Sequence, residues 1–407
     1  MTETTTLSPG KTVAAKPRDP RLDFFRGLGM FIILIAHIPW NPWADWIPAR
    51  FGFSDAADMF VFCSGMASSI AFGRIFIDAG WLHGTARIVF RIWQVYWAHI
   101  GSFFVVFATM IAADSLLGVN RYVDGELLLS DFFQNERERL LGLRTLRFVP
   151  NYFDILPMYL AILAMVPVVM GLAKWHRLAA GAFVLASWLA ANLLELNFTA
   201  DPHTGRGWFF NPFGWQLVFF TGFAFVRGWL PAPPVDRRLI ALAVGIVVLA
   251  LPVSCQGGFD CYAGWGYAPA LGDIHDGLSH WWIQKTDYGP LRYAHFMSTV
   301  YLAYVLAGER GKNLTGPVAE LTRQVGQQTL AVFLTGLVAA QILGVLLDEI
   351  GRTFLTQLLV NLLGMAILIA AARITSWFKA PPWRKPLPRV APAATAEAPA
   401  PVSSKAV

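Results

Sequence analysis

Charge is scarce in this chain. Asp, Glu, Lys and Arg make up 14% of its 407 residues, whereas a soluble domain carries about a quarter. A surface with so few charges cannot be wetted throughout, which leaves lipid as its main neighbour. The modest net charge of +6 is dispersed in short clusters between apolar runs. No continuous basic face exists of the kind that binds nucleic acid. The first twenty residues have no apolar core, so they read as a flexible cytoplasmic tail and not as a cleaved signal peptide. There is no Gly-rich phosphate loop, and no internal repeat is evident.

What the chain has is apolar length. Hydrophobic residues make up 56%, with 16 Trp and 31 Phe, rings that favour the membrane interface. Segments long enough to cross a bilayer as helices are expected near residues 24–40, 53–73, 88–112, 153–173, 178–196, 211–229, 237–253, 291–308, 327–347 and 354–377. The expected fold is all-α: a polytopic membrane domain of about ten helices over residues 21–380. Flanking tails at 1–20 and 381–407 are expected to be disordered. The long connections 113–152 and 254–290 have room for short amphipathic helices.

Basic residues set the expected orientation. Lys11, Lys16, Arg18 and Arg21 precede the first span; Arg74, Arg87 and Arg91 follow the second; Lys174 and Arg177 follow the fourth. Arg227, Arg237 and Arg238 follow the sixth, Arg310, Lys312 and Arg323 the eighth, and Lys379, Arg384, Lys385 and Arg389 the tenth. Positive residues stay in the cytoplasm, so both tails are expected there. Of the three cysteines, Cys63 reads as a small apolar residue within the second span. Cys255 and Cys261 share a connection expected outside, where they are either a local disulfide or two free thiols.

The first span concentrates the polar chemistry. At 100° per residue, Asp23, Arg26 and His37 fall within about 60° of one another, and Arg26 to His37 is about 16 Å of rise. Ionisable groups on one face of a spanning helix are costly unless they face a polar interior or pathway. Asp23 and Arg26 could instead form an i,i+3 ion pair at the interface. His37 could be a buried imidazole bonded to a neighbouring helix, but the stripe favours a functional group.

The orientation puts the starts of the even-numbered spans at the outer face, close to His37. Asp55 and Asp58 enter there from the second span, Tyr152 and Asp154 from the fourth, Asn211 and Gln216 from the sixth, Arg292 and His295 from the eighth. Together they suggest an outward-facing pocket. Helix capping is the bland alternative for Ser54, Asp55 and Asn211. Gln94, Tyr96 and His99 of the third span could join the polar interior or serve structure alone.

The words around these residues resemble a known family. Asp23, Arg26 and His37 on a first membrane helix resemble the opening motif of the membrane acyltransferase-3 superfamily. Arg21-Leu22-Asp23-Phe24-Phe25-Arg26-Gly27, His37-Ile38-Pro39, Phe53-Ser54-Asp55-Ala56-Ala57-Asp58 and Phe60-Val61-Phe62-Cys63-Ser64-Gly65 resemble the OpgC family. So do Tyr152-Phe153-Asp154-Ile155-Leu156-Pro157-Met158-Tyr159 and Phe210-Asn211-Pro212-Phe213-Gly214-Trp215-Gln216. The resemblance covers about residues 19–380. It departs at Asp58, where the family often has Glu, and at Cys63, where a larger apolar residue is more usual.

The resemblance implies an inner-membrane enzyme that succinylates periplasmic glucans, with an acyl-CoA, expected to be succinyl-CoA, as donor. No tightly bound cofactor or metal is expected; the partners are the lipid bilayer and a glycan acceptor. His37, Asp58 and His295 are the expected catalytic groups. Asp23, Arg26, Asp55, Tyr152, Asp154, Asn211, Gln216 and Arg292 are the expected binding groups, with Arg292 a candidate for a donor carboxylate. The coenzyme moiety is expected at the inner rim near Arg26, Arg87 and Arg91. A transporter or flippase for an acylated or lipid-linked substrate is the alternative; the lack of an inverted repeat argues against it.

Overall fold

The computed structural model describes residues 19–380 and 383, apart from 126, 128, 202, 255–268 and 280. Cys255 and Cys261 lie outside the described residues, as do nearly all of both tails. Helix α1 (Pro20–His37) starts where Asp19 accepts a hydrogen bond from the Arg21 amide and Pro20 presets the first turn. Helix α2 (Ala56–Ser68) runs through a π-turn (Ser69–Gly73) into α3 (Arg74–Asp78). Helix α4 (Trp81–Leu117) has 37 residues and stops at Gly118, whose φ of +66° suits glycine.

The first long connection holds α5 (Asp131–Gln134) and α6 (Glu136–Arg144). Helices α7 (Ile155–Trp175) and α8 (Arg177–Leu194) follow, then an antiparallel pair, β1 (Thr199–Asp201) and β2 (Arg206–Gly207). The chain continues through α9 (Pro212–Arg227), α10 (Arg237–Ala250), α11 (Pro269–Ser279) and α12 (Pro290–Ala307). It ends with α13 (Pro317–Gln327), α14 (Thr329–Ile350) and α15 (Phe354–Lys379).

Every expected span is helical, but they differ in how well they fit a membrane. Six stretches among the described residues are long and apolar enough to cross one: Ala56–Asp78, Trp81–Leu117, Ile155–Trp175, Arg177–Leu194, Thr329–Ile350 and Phe354–Lys379. The remaining four are shorter or more polar. Helix α10 has 14 residues, a rise of about 21 Å against a hydrocarbon core of about 30 Å. Helix α9 has 16 residues, and α1 carries Arg21, Asp23 and Arg26 within its 18.

Two glycine crossings hold the centre together. A Cβ on Gly27 of α1 would lie 1.8 Å from the Thr322 carbonyl oxygen of α13, and one on Gly326 of α13 would lie 1.8 Å from that of Asp23. Likewise a Cβ on Gly65 of α2 would meet the Phe219 carbonyl oxygen of α9 at 1.9 Å. Without a hydrophobic drive between helices in lipid, such close backbone approach is what packs them. Helix α13 lies in a stretch expected to be a simple connection. Its buried Ala319, Thr322, Val325 and Gly326 make one face of a helix too short and polar to resemble a span.

The main core is apolar and draws on many helices, with Leu34, Val61, Met158, Phe219 and Val332 all fully buried. A second cluster joins Phe103 and Met110 of α4 to Leu129, Leu143, Phe148 and Trp208 of the connections. A buried Arg139–Asp201 pair at 2.6 Å, with the guanidinium 4.7 Å over the Phe148 ring, ties α6 to β1 over this cluster. The result is a folded cap on one end of the bundle. Burial lifts the Asp201 carboxyl, but its bonds from Arg139 and the His203 amide outweigh that and hold it below its usual range.

Candidate functional site

The capped end of the bundle is where α1 finishes and α2, α9, α12 and α15 begin, as the bonds between them fix. Asp55 caps α2 by accepting from the Ala57 amide at 2.8 Å, and Asp58 reaches back to the Asp55 amide at 2.8 Å. This is a capping box, so the capping reading holds for Asp55. Yet both carboxylates do more. Fully buried Asp58 accepts from Arg292 Nη2 at 2.5 Å and Nε at 3.2 Å, and from the Tyr288 hydroxyl at 2.5 Å. Asp55 accepts from Lys285 Nζ at 2.6 Å and lies 3.2 Å from Arg292 Nη2. Two acids and two bases therefore balance inside the protein, with the Arg292 guanidinium 5.6 Å over Trp215 and 5.7 Å over Tyr288.

His295 is one turn along α12 from Arg292. Its Nδ1 bonds Ser54 Oγ at 2.9 Å, so Ser54 serves this ring and not the cap. Gly52 makes room for it, since a Cβ there would come within 2.4 Å of Nε2. That Nε2 is buried and has no hydrogen-bond partner among the described residues. His37 is held differently. Its ring meets Tyr152 edge-on at 4.9 Å, the residue is only partly buried, and its nitrogens bond nothing among the described residues.

The chain beyond His37 is clamped. Arg352 donates to the Pro39 and Trp40 carbonyls, both at 2.9 Å, while pairing with Asp348 at 2.6 Å. Asn41 and Asn361 exchange amide hydrogen bonds of 2.9 and 3.1 Å in a buried pair. Backbone strain gathers here as well. Of six non-glycine residues with positive φ among those described, Trp40 (55°), Tyr152 (69°) and Tyr288 (63°) flank this site. Such conformations cost on the order of 1–3 kcal/mol each and persist where the surroundings impose them.

The remaining expected residues have supporting or distant places. Asn211 caps α9 through the Phe213 amide at 3.0 Å, as the capping reading has it. Its amide also donates to Asp287 at 2.6 Å, holding the segment that carries Lys285 and Tyr288. Burial raises the Asp287 carboxyl above its usual range, against the pull of that Asn211 bond. Gln216 is fully buried and donates to the Val184 and Phe213 carbonyls. Asp154 is buried at the start of α7. His99 of α4 is buried with neither ring nitrogen partnered among the described residues. Asp23 and Arg26 lie toward the opposite end of α1. There Arg26 and Arg91 line a cavity of about 30 Å³ with Ser64, Tyr159 and Thr329, room for about one water.

Sequence reasoning missed Lys285 and Tyr288. Lys285 is a lone lysine in a connection expected outside, where the orientation rule leaves basic residues rare, and that departure was the available signal. Its Nζ lies 5.4 Å over both Phe209 and Phe210. Because Arg292 is enclosed by Asp58 and Asp55, Lys285, a third exposed, is the accessible cation of the group.

No curated protein and no solved structure matches the chain. A family model described as OpgC protein matches residues 18–380, which include every helix and every site residue described above. The chain belongs to the OpgC protein family.

Proposed function

We propose that this protein is an inner-membrane O-acyltransferase that moves a succinyl group from succinyl-CoA onto hydroxyls of a periplasmic glucan. Membership of the family supports a glucan-modifying acyltransferase. The observation that carries the site assignment is the His37 imidazole. It is partly accessible, bonded to nothing among the described residues, and set edge-on against a strained Tyr152, at the end of the bundle that also holds the balanced charge cluster. In this reading ten helices cross the membrane, both tails are cytoplasmic, and the capped end faces the periplasm.

The chemistry follows from those positions. The acceptor hydroxyl oxygen adds to the thioester carbonyl carbon as His37 takes its proton. The tetrahedral oxyanion then collapses, the C–S bond breaks, and His37 returns the proton to the departing thiolate. Asp58, locked by Arg292 and Tyr288, holds the start of α2 against α12. His295, seated by Ser54, is a second imidazole on the same wall. Lys285 is the cation available to the free carboxylate of a dicarboxylic acyl group. The coenzyme enters from the opposite face, near Arg26 and Arg91, with its thiol arm directed about 16 Å along α1 toward His37.

Mass spectrometry of periplasmic glycans from a deletion strain tests the reading. Loss of one acyl mass, restored by the intact gene, is the expected result. Unchanged glycans with an altered lipid distribution between leaflets would replace acyl transfer by transport.

A further inference from the structure

His37 shares its end of the bundle with a recess outside the site already described. A groove of about 510 Å³ opens between the end of α4 and the connection that follows, lined by Ile111, Ser115, Asn120, Asp124, Ser130 and Phe133 among others. We propose that this groove is an extended acceptor subsite, which binds sugar units of the glycan chain on one side of the unit being acylated. The inference rests on the acyltransferase reading and adds to it where the polymer lies.

Three features carry it. First, the groove is in water and not in lipid. Helix α4 has 37 residues, a length of about 55 Å, nearly twice the hydrocarbon thickness. A helix of that length leaves the hydrocarbon core at one end or both, and the polar lining of Asp114, Ser115, Asn120, Asp124 and Ser130 puts the end that forms one wall at the surface. Second, the wall opposite is built in advance. The buried Asp114 carboxylate accepts from the amides of Arg121, Tyr122 and Val123 at 3.1, 3.1 and 3.0 Å, and the Ser130 amide closes on the Val123 carbonyl at 3.1 Å. A groove so held loses little entropy when filled.

Third, the lining suits a pyranose. Sugars present apolar C–H faces with a rim of hydroxyls that both donate and accept. Phe133, 52% exposed with its ring tilted against Phe107 at 5.4 Å, offers an apolar face held in place. The Ser115 and Ser130 hydroxyls, the Asn120 amide and the Asp124 carboxylate make no side-chain hydrogen bond among the described residues, so their capacity is open to a ligand. The volume falls within the roughly 300–1,000 Å³ typical of ligand pockets.

The groove also connects to the reacting end. Arg121, next to the lining residue Asn120, pairs with Glu349 at 3.0 Å; the adjacent Asp348 pairs with Arg352, which grips Pro39 and Trp40 just past His37. A chain lying in the groove is thus anchored to the same rigid frame as the imidazole. A monosaccharide cannot fill both places, but an oligomer can.

Hydrogen exchange on the full-length protein in detergent, with linear glucose oligomers of graded length as probes, tests the binding without needing turnover. Slowed exchange at residues 118–125 with long oligomers and not with glucose is expected, and Phe133→Ala and Asp124→Asn should abolish it. No protection at any length would overturn the subsite. In acyl transfer assays the same two variants should raise KM for long acceptors about tenfold while kcat holds, since a lost charge-assisted or stacking contact is worth roughly that factor. Unaltered length preference in both variants would also overturn it. Protection of the groove in a protein that transfers no acyl group would instead keep the glycan subsite and sink the acyltransferase reading.

Discussion

Removing one member of the Asp58–Arg292 pair should be far more damaging than removing both. Asp58 is fully buried and accepts three side-chain hydrogen bonds, two from Arg292 and one from Tyr288. Asp58→Leu leaves the guanidinium facing Asp55 alone, which Lys285 already engages. An uncompensated buried charge of this kind costs about 3–5 kcal/mol. That is roughly a hundredfold to several-thousandfold in the ratio of folded to unfolded protein. Arg292→Met does the reverse and exposes a buried carboxylate to the same penalty.

The double variant Asp58→Leu with Arg292→Met removes both charges together and leaves the Asp55–Lys285 pair intact. Its cost should fall well below the sum of the singles, near neutrality, because the desolvation of both ions disappears with their attraction. The assay is thermal unfolding of the purified protein in detergent, followed by tryptophan fluorescence, at one pH and salt concentration. Strictly additive losses would mean that the two groups do not interact, and the reasoning from burial would be wrong. Since Asp58 and Arg292 hold α2 to α12, the double variant should recover stability without recovering full activity.

Four further outcomes are expected. His37→Ala should cut acyl transfer by about 10²–10⁴ with normal insertion; His37→Gln should not rescue it, and near-normal turnover of that variant would reduce His37 to a hydrogen-bonding residue. Lys285→Ala should lower transfer of a succinyl group about tenfold to hundredfold, the worth of a charge-assisted bond, while sparing transfer of an acetyl group; equal losses for both donors would refute its role. Cysteine labelling at Ser279 and Ser403 should report opposite sides of the membrane, and one side for both would break the orientation. The cap should loosen only in acid. The folded Asp201 carboxyl titrates below its unfolded value, so its contribution is full above about pH 4 and is lost as pH falls through the lower folded value. Protease cutting within residues 136–149 should therefore be flat from pH 8 to 5 and rise below pH 4; a rise already at pH 6 would assign the cap to other groups.

Long apolar runs make helices legible, and all ten expected spans are helical. Charge placement made the ends of the first span legible too, since Asp23, Arg26 and His37 share a face by simple rotation. What periodicity could not supply was α13. Its 11 residues carry their apolar positions on one face only, and its partner is a backbone surface made by Gly27, not a run of side chains. Close glycine contact leaves no hydrophobic signature in the sequence. The β1–β2 pair was invisible for a related reason, because five residues of strand have no period to read.

The site divides in the same way. Each acid or base on a helix start could be named from sequence, but the pairing that decides its chemistry could not. Arg292 looks like an ideal receptor for a carboxylate until Asp58 and Asp55 are found on its guanidinium. Lys285 looks like a loop residue until Asp55 and two phenylalanine rings are found around its ammonium. The two cations thus exchange the roles that their positions in the chain suggest. The buried one fixes the geometry of the helices, and the other keeps a third of its side chain exposed. That exchange depends on the segment after residue 280 folding back over α2 and α9, held by Asn211 on Asp287 and by Trp215 on the Lys285 carbonyl at 2.9 Å. Both holding residues sit in the apolar word Phe210-Asn211-Pro212-Phe213-Gly214-Trp215, some seventy residues earlier in the chain. Only the fold brings the two stretches together, and with them the ammonium onto Asp55.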